Sequence, residues 1–152
     1  PKGMVEGQSR DLEAEGKIIS LEELDEIHHL KTGKLIEAGV ESICILKEDL
    51  PDEHLKGFLN FAKKFGLAFQ IKDDILDVIG DEKVMGKPKH SDLGLKKASY
   101  PAIIGLEASQ ERAESLCSEA LEILAKLPYK TERLIKLSNN SGSSFFKRCA
   151  GA

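Results

Sequence analysis

The chain has 152 residues, of which 32% are charged and 41% apolar, with no Trp and a formal net charge of −4. That suffices for one domain with a core. The acid excess argues against a nucleic-acid partner, and no apolar run reaches the about 20 residues of a membrane span. The three cysteines, Cys44, Cys117 and Cys149, lack CxxC or Cys/His spacing, which argues against zinc or a disulfide framework and suits a reducing cytoplasm.

Periodicity predicts a first helix from Met4 to Glu15, stopped by Gly16. Ser20 with Glu23 forms a capping box, and Leu21, Leu24, Ile27, Leu35 and Ile36 continue at helical spacing, giving a second helix from Leu21 to Leu46. Pro51, Asp52 and Glu53 open a third, in which Leu55, Phe58, Leu59, Ala62, Phe65, Phe69, Leu76 and Ile79 recur at threes and fours until Gly80. The stretch from Asp81 to Ser99 is rich in Gly, Lys, Asp and Pro and reads as a functional loop, in which Lys87, Lys89, Lys96 and Lys97 suit a small anion. Tyr100-Pro101 restarts helix as far as Leu127, with a soft break at Ala108-Ser109, and a short helix follows from Thr131 to Leu137. No segment alternates in the manner of a strand, so the fold class is all-α, an antiparallel helix bundle. Residues 1–137 form its helical domain and 138–152 an irregular, frayed tail.

The stretch Phe69-Gln70-Ile71-Lys72-Asp73-Asp74-Ile75-Leu76-Asp77 is the most informative. On a helix, Asp73 and Asp77 stack on one face about 6 Å apart, and Asp74 stands on the flank beside Asp77. Three converging carboxylates repel one another unless a cation intervenes. Hard oxygen donors, few in number and with room for water and phosphate oxygens, match Mg²⁺ bridging a diphosphate better than a Ca²⁺ cage. A solvated acidic face is the other reading. His28 and His29 read as helix-surface histidines, Asp11 equally as a residue that faces the same cavity as Gln8 or as a surface acid paired with Arg10 or Lys17, and Phe58, Phe61, Phe65 and Phe69 as a packing face.

These residues resemble the trans-isoprenyl diphosphate synthase family. Asp73-Asp74-Ile75-Leu76-Asp77 is similar to its second DDxxD motif, Gly7-Gln8 with Asp11-Leu12 to its GQxxDL helix, and Lys31-Thr32-Gly33 to its KTG. Gly66-Leu67-Ala68-Phe69-Gln70 resembles the stretch that leads into the second aspartates. Gly80-Asp81, Met85-Gly86-Lys87, Asp92, Lys97 and Ser99-Tyr100-Pro101 then follow in the family's order, so that the likeness runs from about Gly3 to Leu127.

The resemblance implies the C-terminal half of a short-chain synthase that condenses an allylic diphosphate, dimethylallyl or geranyl, with isopentenyl diphosphate to give farnesyl diphosphate. By the same token Asp73, Asp74 and Asp77 are metal ligands for Mg²⁺, while Lys31, Lys87, Lys97 and Gln8 hold diphosphate, with Lys96 as the fallback. Lys31, Thr32 and Gln70 act on the reacting substrate. The family's first aspartate-rich motif has no counterpart in these residues, so the isolated chain is expected to be inactive, its parent state being a homodimer or a pairing with the missing N-terminal half. A terpene synthase of the same fold is disfavoured by Asp77, which stands where those enzymes carry a Glu. A non-catalytic helical subunit is disfavoured by the retained Asp73, Asp74, Asp77, Lys31 and Lys87.

Overall fold

Six helices and one π-turn follow one another in the computed structural model, which describes residues 3–85 and 98–136, with backbone alone for 81–85. In chain order they are α1 (Met4–Ala14), α2 (Leu21–His28), a π-turn (His29–Gly33), α3 (Lys34–Ile45), α4 (Asp52–Met85), α5 (Tyr100–Ile104) and α6 (Leu106–Lys126), with a last helical turn at 132–136. No strand occurs among the described residues, so the fold is all-α as expected.

Local chemistry accounts for most of the boundaries. Gly16, at a φ of 73°, takes the chain out of α1 through a conformation that costs a side-chain-bearing residue about 1 kcal/mol or more. Ser20 and Glu23 then bond each other's backbone N–H at 3.2 and 2.9 Å, completing the capping box at the start of α2. Pro51 and the acids Asp52 and Glu53 open α4, whose exposed amides favour negative charge.

The structure departs from the sequence reading mainly in three of the expected helices. The helix expected from Leu21 to Leu46 is interrupted at His29–Gly33, where the Lys34 amide donates to the His29 carbonyl five residues back, and it stops at Ile45. α4 runs through Gly80 to Met85, because a solvated glycine costs a helix only about 1 kcal/mol and good helix formers follow it. The break after Tyr100 falls at Gly105, at a φ of 87°, and not at Ala108-Ser109. Ser109 is instead buried, and its hydroxyl donates to the Gly105 carbonyl at 2.6 Å. The expected tail, 138–152, and most of the Asp81 to Ser99 stretch lie outside the described residues.

The long α4 is the spine. It packs along α6 and also against α3, the π-turn and α5. One core cluster gathers Leu24, Ala68, Ile71, Ile75, Tyr100, Ala113 and Leu116. A second, nearer the start of α4, holds Phe61, Ala120 and Leu124, with Phe58, Phe65 and Leu127 against them. The phenylalanine face thus packs as expected except for Phe69, which is exposed.

Candidate functional site

Two glycines let backbones meet where the KTG segment sits. A Cβ on Gly7 would lie 2.4 Å from the Lys31 amide nitrogen, so α1 rests directly on the π-turn. On its other side, a Cβ on Gly66 would lie 3.2 Å from the Gly33 Cα, so α4 also approaches closely. Wedged between two helices, the segment His29–Gly33 takes a widened turn of a kind that recurs at functional sites.

This crossing brings Asp11 of α1 onto Lys31. The Lys31 ammonium donates to the Asp11 carboxylate at 2.7 Å, with the two side chains 20% and 16% exposed. Of the two readings of Asp11, the surface pairing with Arg10 or Lys17 gives way to a pairing with the lysine of the KTG segment. Arg10 instead bonds Glu6 and Glu26, and Glu26 is the main reason that its pKa is raised. Gln8, on the same helix, is exposed, and Thr32 is half-buried in the π-turn.

From the Gly66 crossing, a single stripe of α4 carries Gln70, Asp73 and Asp77, each within about 40° of Gly66 around the helix axis. Gln70 is buried, whereas Asp73 and Asp77 are exposed. These two carboxylates stand one helical turn apart on an open face, a donor set of the hard, water-accessible kind that suits Mg²⁺.

Asp74 departs from the expectation that three carboxylates gather. It lies three residues after Ile71 and next to Ile75, both fully buried, and so it faces the core and is only 4% exposed. Its Oδ2 accepts from the Tyr100 amide at 3.0 Å and stands 3.0 Å from His28 Nε2. Among the described residues no three His, Cys, Asp or Glu side chains are grouped closely enough to hold an ion.

His28 corrects a second expectation. It is buried, not on the surface, and its ring stacks on Tyr100 with centroids 6.0 Å apart and planes at 11°. Its Nδ1 has no hydrogen-bond partner among the described residues, so the arrangement that leaves the least unsatisfied has Nε2 donate to Asp74 and Nδ1 as a bare acceptor. Tyr100 completes the knot by donating its hydroxyl to Asp25 of α2. Burial first, and the bond and charge of Asp25 after it, hold the Tyr100 phenol well above its ordinary pKa. The signal for His28 was in the sequence, since it lies four residues after Leu24 on the stripe that enters the core.

His29, one residue on, lies 3.5 Å from Glu37, and burial lowers its pKa against the pull of that carboxylate. Burial raises the Cys44 and Cys117 thiols, which makes them poor nucleophiles. Lys87, Lys97 and the fallback Lys96 lie outside the described residues.

Comparison with known proteins adds to this geometry. The sequence profile of the polyprenyl synthetase family matches residues 2–139. A farnesyl diphosphate synthase from Haemophilus influenzae is 43% identical over 131 residues, which is 86% of this chain and 44% of that protein. Among solved structures, a putative farnesyl-diphosphate synthase from Marinomonas sp. MED121 aligns with a TM-score of 0.76 at 32% identity, over 91% of this chain and 46% of that one. A geranyltransferase from Helicobacter pylori, complexed with magnesium and isoprenyl diphosphate, aligns with a TM-score of 0.72 at 34% identity, over 95% of this chain and 47% of that one. The chain thus spans about half the length of the relatives it matches.

Proposed function

This chain belongs to the polyprenyl synthetase family, and from that premise we propose that the complete protein is a short-chain isoprenyl diphosphate synthase. It joins an allylic diphosphate, dimethylallyl or geranyl, to isopentenyl diphosphate, and farnesyl diphosphate is the product in view of relatives that carry that name. The observation that supports this most is the π-turn held between Gly7 and Gly66, which brings the KTG segment against α4 at Gly66, the residue that begins the stripe of Gln70, Asp73 and Asp77.

The chemistry is a change of bonds at carbon. The allylic carbon–oxygen bond breaks and its electron pair leaves with diphosphate. The double bond of isopentenyl diphosphate then attacks the cation, and a proton is lost. A protein speeds such a reaction by placing charge where charge develops. Lys31 donates to the departing phosphate oxygens as a point charge, and it must exchange Asp11 for them. Thr32 and Gln70 offer oxygens toward the cation, and Gln8 donates to diphosphate.

Asp73 and Asp77 are the residues on this chain that would hold Mg²⁺, which when bound neutralises diphosphate as a Lewis acid. Lys87 and Lys97 retain the diphosphate-binding role that the family implies. The chain spans about half the length of its relatives; in this reading the second metal site is supplied by the rest of such an enzyme or by a partner chain in a dimer, and the 152 residues alone are expected not to turn over. No described helix is long and apolar enough to cross a membrane.

The test is calorimetry of the chain with inorganic pyrophosphate, with and without Mg²⁺. Binding should require Mg²⁺, should weaken on Lys31→Ala and should vanish on Asp73→Ala. A chain indifferent to pyrophosphate under all conditions would exclude the diphosphate site.

A further inference from the structure

The second aspartate of the motif is chemically out of place for a metal ligand. It is 4% exposed, its Oδ2 is engaged by the Tyr100 amide at 3.0 Å and by His28 Nε2 at 3.0 Å, and fully buried Ile71 and Ile75 flank it. Turning it outward would strand a buried amide and a buried imidazole whose other nitrogen already lacks a partner. The cost of two such groups exceeds what one added oxygen contributes to a water-rich Mg²⁺ shell.

We propose that Asp74 is a positioning residue and not a metal ligand: it pins α4 to α2 and to the start of α5, and so fixes the rotation of the helix that aims Asp73 and Asp77 outward. The geometry of a helix links these statements. Asp74 is about 100° around the axis from Asp73 and about 60° from Asp77, so bonds that hold one carboxylate inward hold the other two at the surface. Its partners come from well-separated parts of the chain, His28 being 46 residues away and Tyr100 26 residues away. A rotation of α4 that kept its hydrocarbon contacts would break both bonds. His28 thereby becomes a positioning residue at one further remove, as the group that Asp74 grips.

The functional half of this inference rests on the reading of Asp73 and Asp77 given above. The experiment compares Asp74→Asn, His28→Phe, the double variant and Asp73→Asn in the whole chain. Thermal midpoints, the amide resonance of Tyr100 and Mg²⁺-dependent binding of inorganic pyrophosphate are the three readouts. Asp74→Asn and His28→Phe should each lower the midpoint by roughly 5 °C or more and shift the Tyr100 amide. Each should also weaken pyrophosphate binding by about tenfold, as loss of an orienting group does, with the double variant little worse than the worse single. Asp73→Asn should abolish binding and leave the midpoint and the Tyr100 amide alone.

His28→Phe is the decisive arm, because it alters no carboxylate of the motif and leaves an aromatic ring against Tyr100. If it leaves binding intact while Asp74→Asn abolishes it, Asp74 is a ligand and the proposal is overturned. Should Asp74→Asn fail to fold, His28→Phe alone carries the same comparison. Should the unaltered chain bind no pyrophosphate, the diphosphate reading fails separately, and unchanged midpoints in both single variants would then refute the pinning role.

Discussion

Around Phe61 and around Asp74, helix α4 is held by different forces. Near its start Phe61 is buried with Ala120 and Leu124, and Phe58, Phe65, Ile123 and Leu127 close over them. Around Asp74 the same helix is held by directional bonds as well, from His28 and the Tyr100 amide. Hydrocarbon contact resists separation but tolerates a small twist, since it is non-directional. Hydrogen bonds weaken steeply with misalignment. The half near Phe61 also has partly buried polar contacts, His54 with Tyr129 and Lys64 with Glu119, but its buried anchor is apolar. The half whose surface must present Asp73 and Asp77 in a set direction is instead anchored by a buried carboxylate and imidazole.

The comparison breaks most visibly at its apolar end. Phe61→Ala removes a buried ring that stacks on Phe65 at 5.7 Å, and the expected loss is about 3–5 kcal/mol of stability. Chemical denaturation reads this directly. Well below the new midpoint, Mg²⁺-dependent pyrophosphate binding should be retained, because the packing defect opens toward Ala120 and Leu124 of α6 and not toward the π-turn that meets Gly66. A variant that remained folded but lost binding in proportion to stability would show that the two halves of α4 are not separable.

Gly7→Ala attacks the other end through the backbone. Its new methyl group would meet the Lys31 amide nitrogen at 2.4 Å, and main chain cannot swing aside as a side-chain tip can. An overpacking loss of about 2–3 kcal/mol is expected, less than for Phe61→Ala, with pyrophosphate binding at least as impaired as in Lys31→Ala. Gly57→Ala is the matched control, since its methyl would meet only the flexible tip of Leu127 at 2.9 Å. Equal losses for the two glycines would mean that the π-turn yields more readily than the contact implies.

These pairs also indicate how much the sequence disclosed. The capping box of Ser20 and Glu23 and the stop at Gly16 were legible because cause and effect lie within a few residues. The π-turn was not, because the close approaches of Gly7 and Gly66 that confine it come from elsewhere in the chain. Asp73 and Asp77 on one face followed from helical spacing, whereas Asp74 needed a partner 46 residues away to reveal that it points inward. His28 differs, since its place four residues after Leu24 on the core stripe was legible and its polar side chain was nonetheless read as a surface group. At Gly105 the local cue was present, since only a glycine takes a φ of 87° without strain, but the small polar pair at Ala108-Ser109 drew the break three residues too late.

The polar knot makes its own prediction at high pH. Burial, then the bond and charge of Asp25, raise the Tyr100 pKa, so the folded state holds that proton more tightly than the unfolded state does. The resulting stability is fully present below the ordinary phenol value of about 10 and is lost as pH climbs above it. In Tyr129→Phe, Tyr100 is the only phenol left. Its phenolate absorbance should appear together with loss of helical circular dichroism, and well before that in a chain already unfolded by denaturant. Tyr100→Phe should remove the alkaline step at a cost of about 1–2 kcal/mol at neutral pH. A phenolate that forms while helicity is intact would mean that Tyr100 is open to solvent and that the knot is loose.

The smallest effect sharpens the comparison where α4 leaves both clusters behind. Gly80 is exposed, and a Cβ built there meets nothing within 4 Å. It therefore contributes no close approach, unlike Gly7 and Gly66. Gly80→Ala should stabilise the protein by about 0.5–1 kcal/mol, by narrowing the conformations open to the unfolded chain and stiffening the helix. The thermal midpoint should rise by roughly 2–3 °C. Binding of Mg²⁺ and pyrophosphate should not change, because the bonds to Asp74 already set the rotation of α4 one and a half turns earlier. A gain in stability accompanied by weaker binding would reveal that this end of α4 must bend in order to work, and would move the seat of its orientation from Asp74 to Gly80.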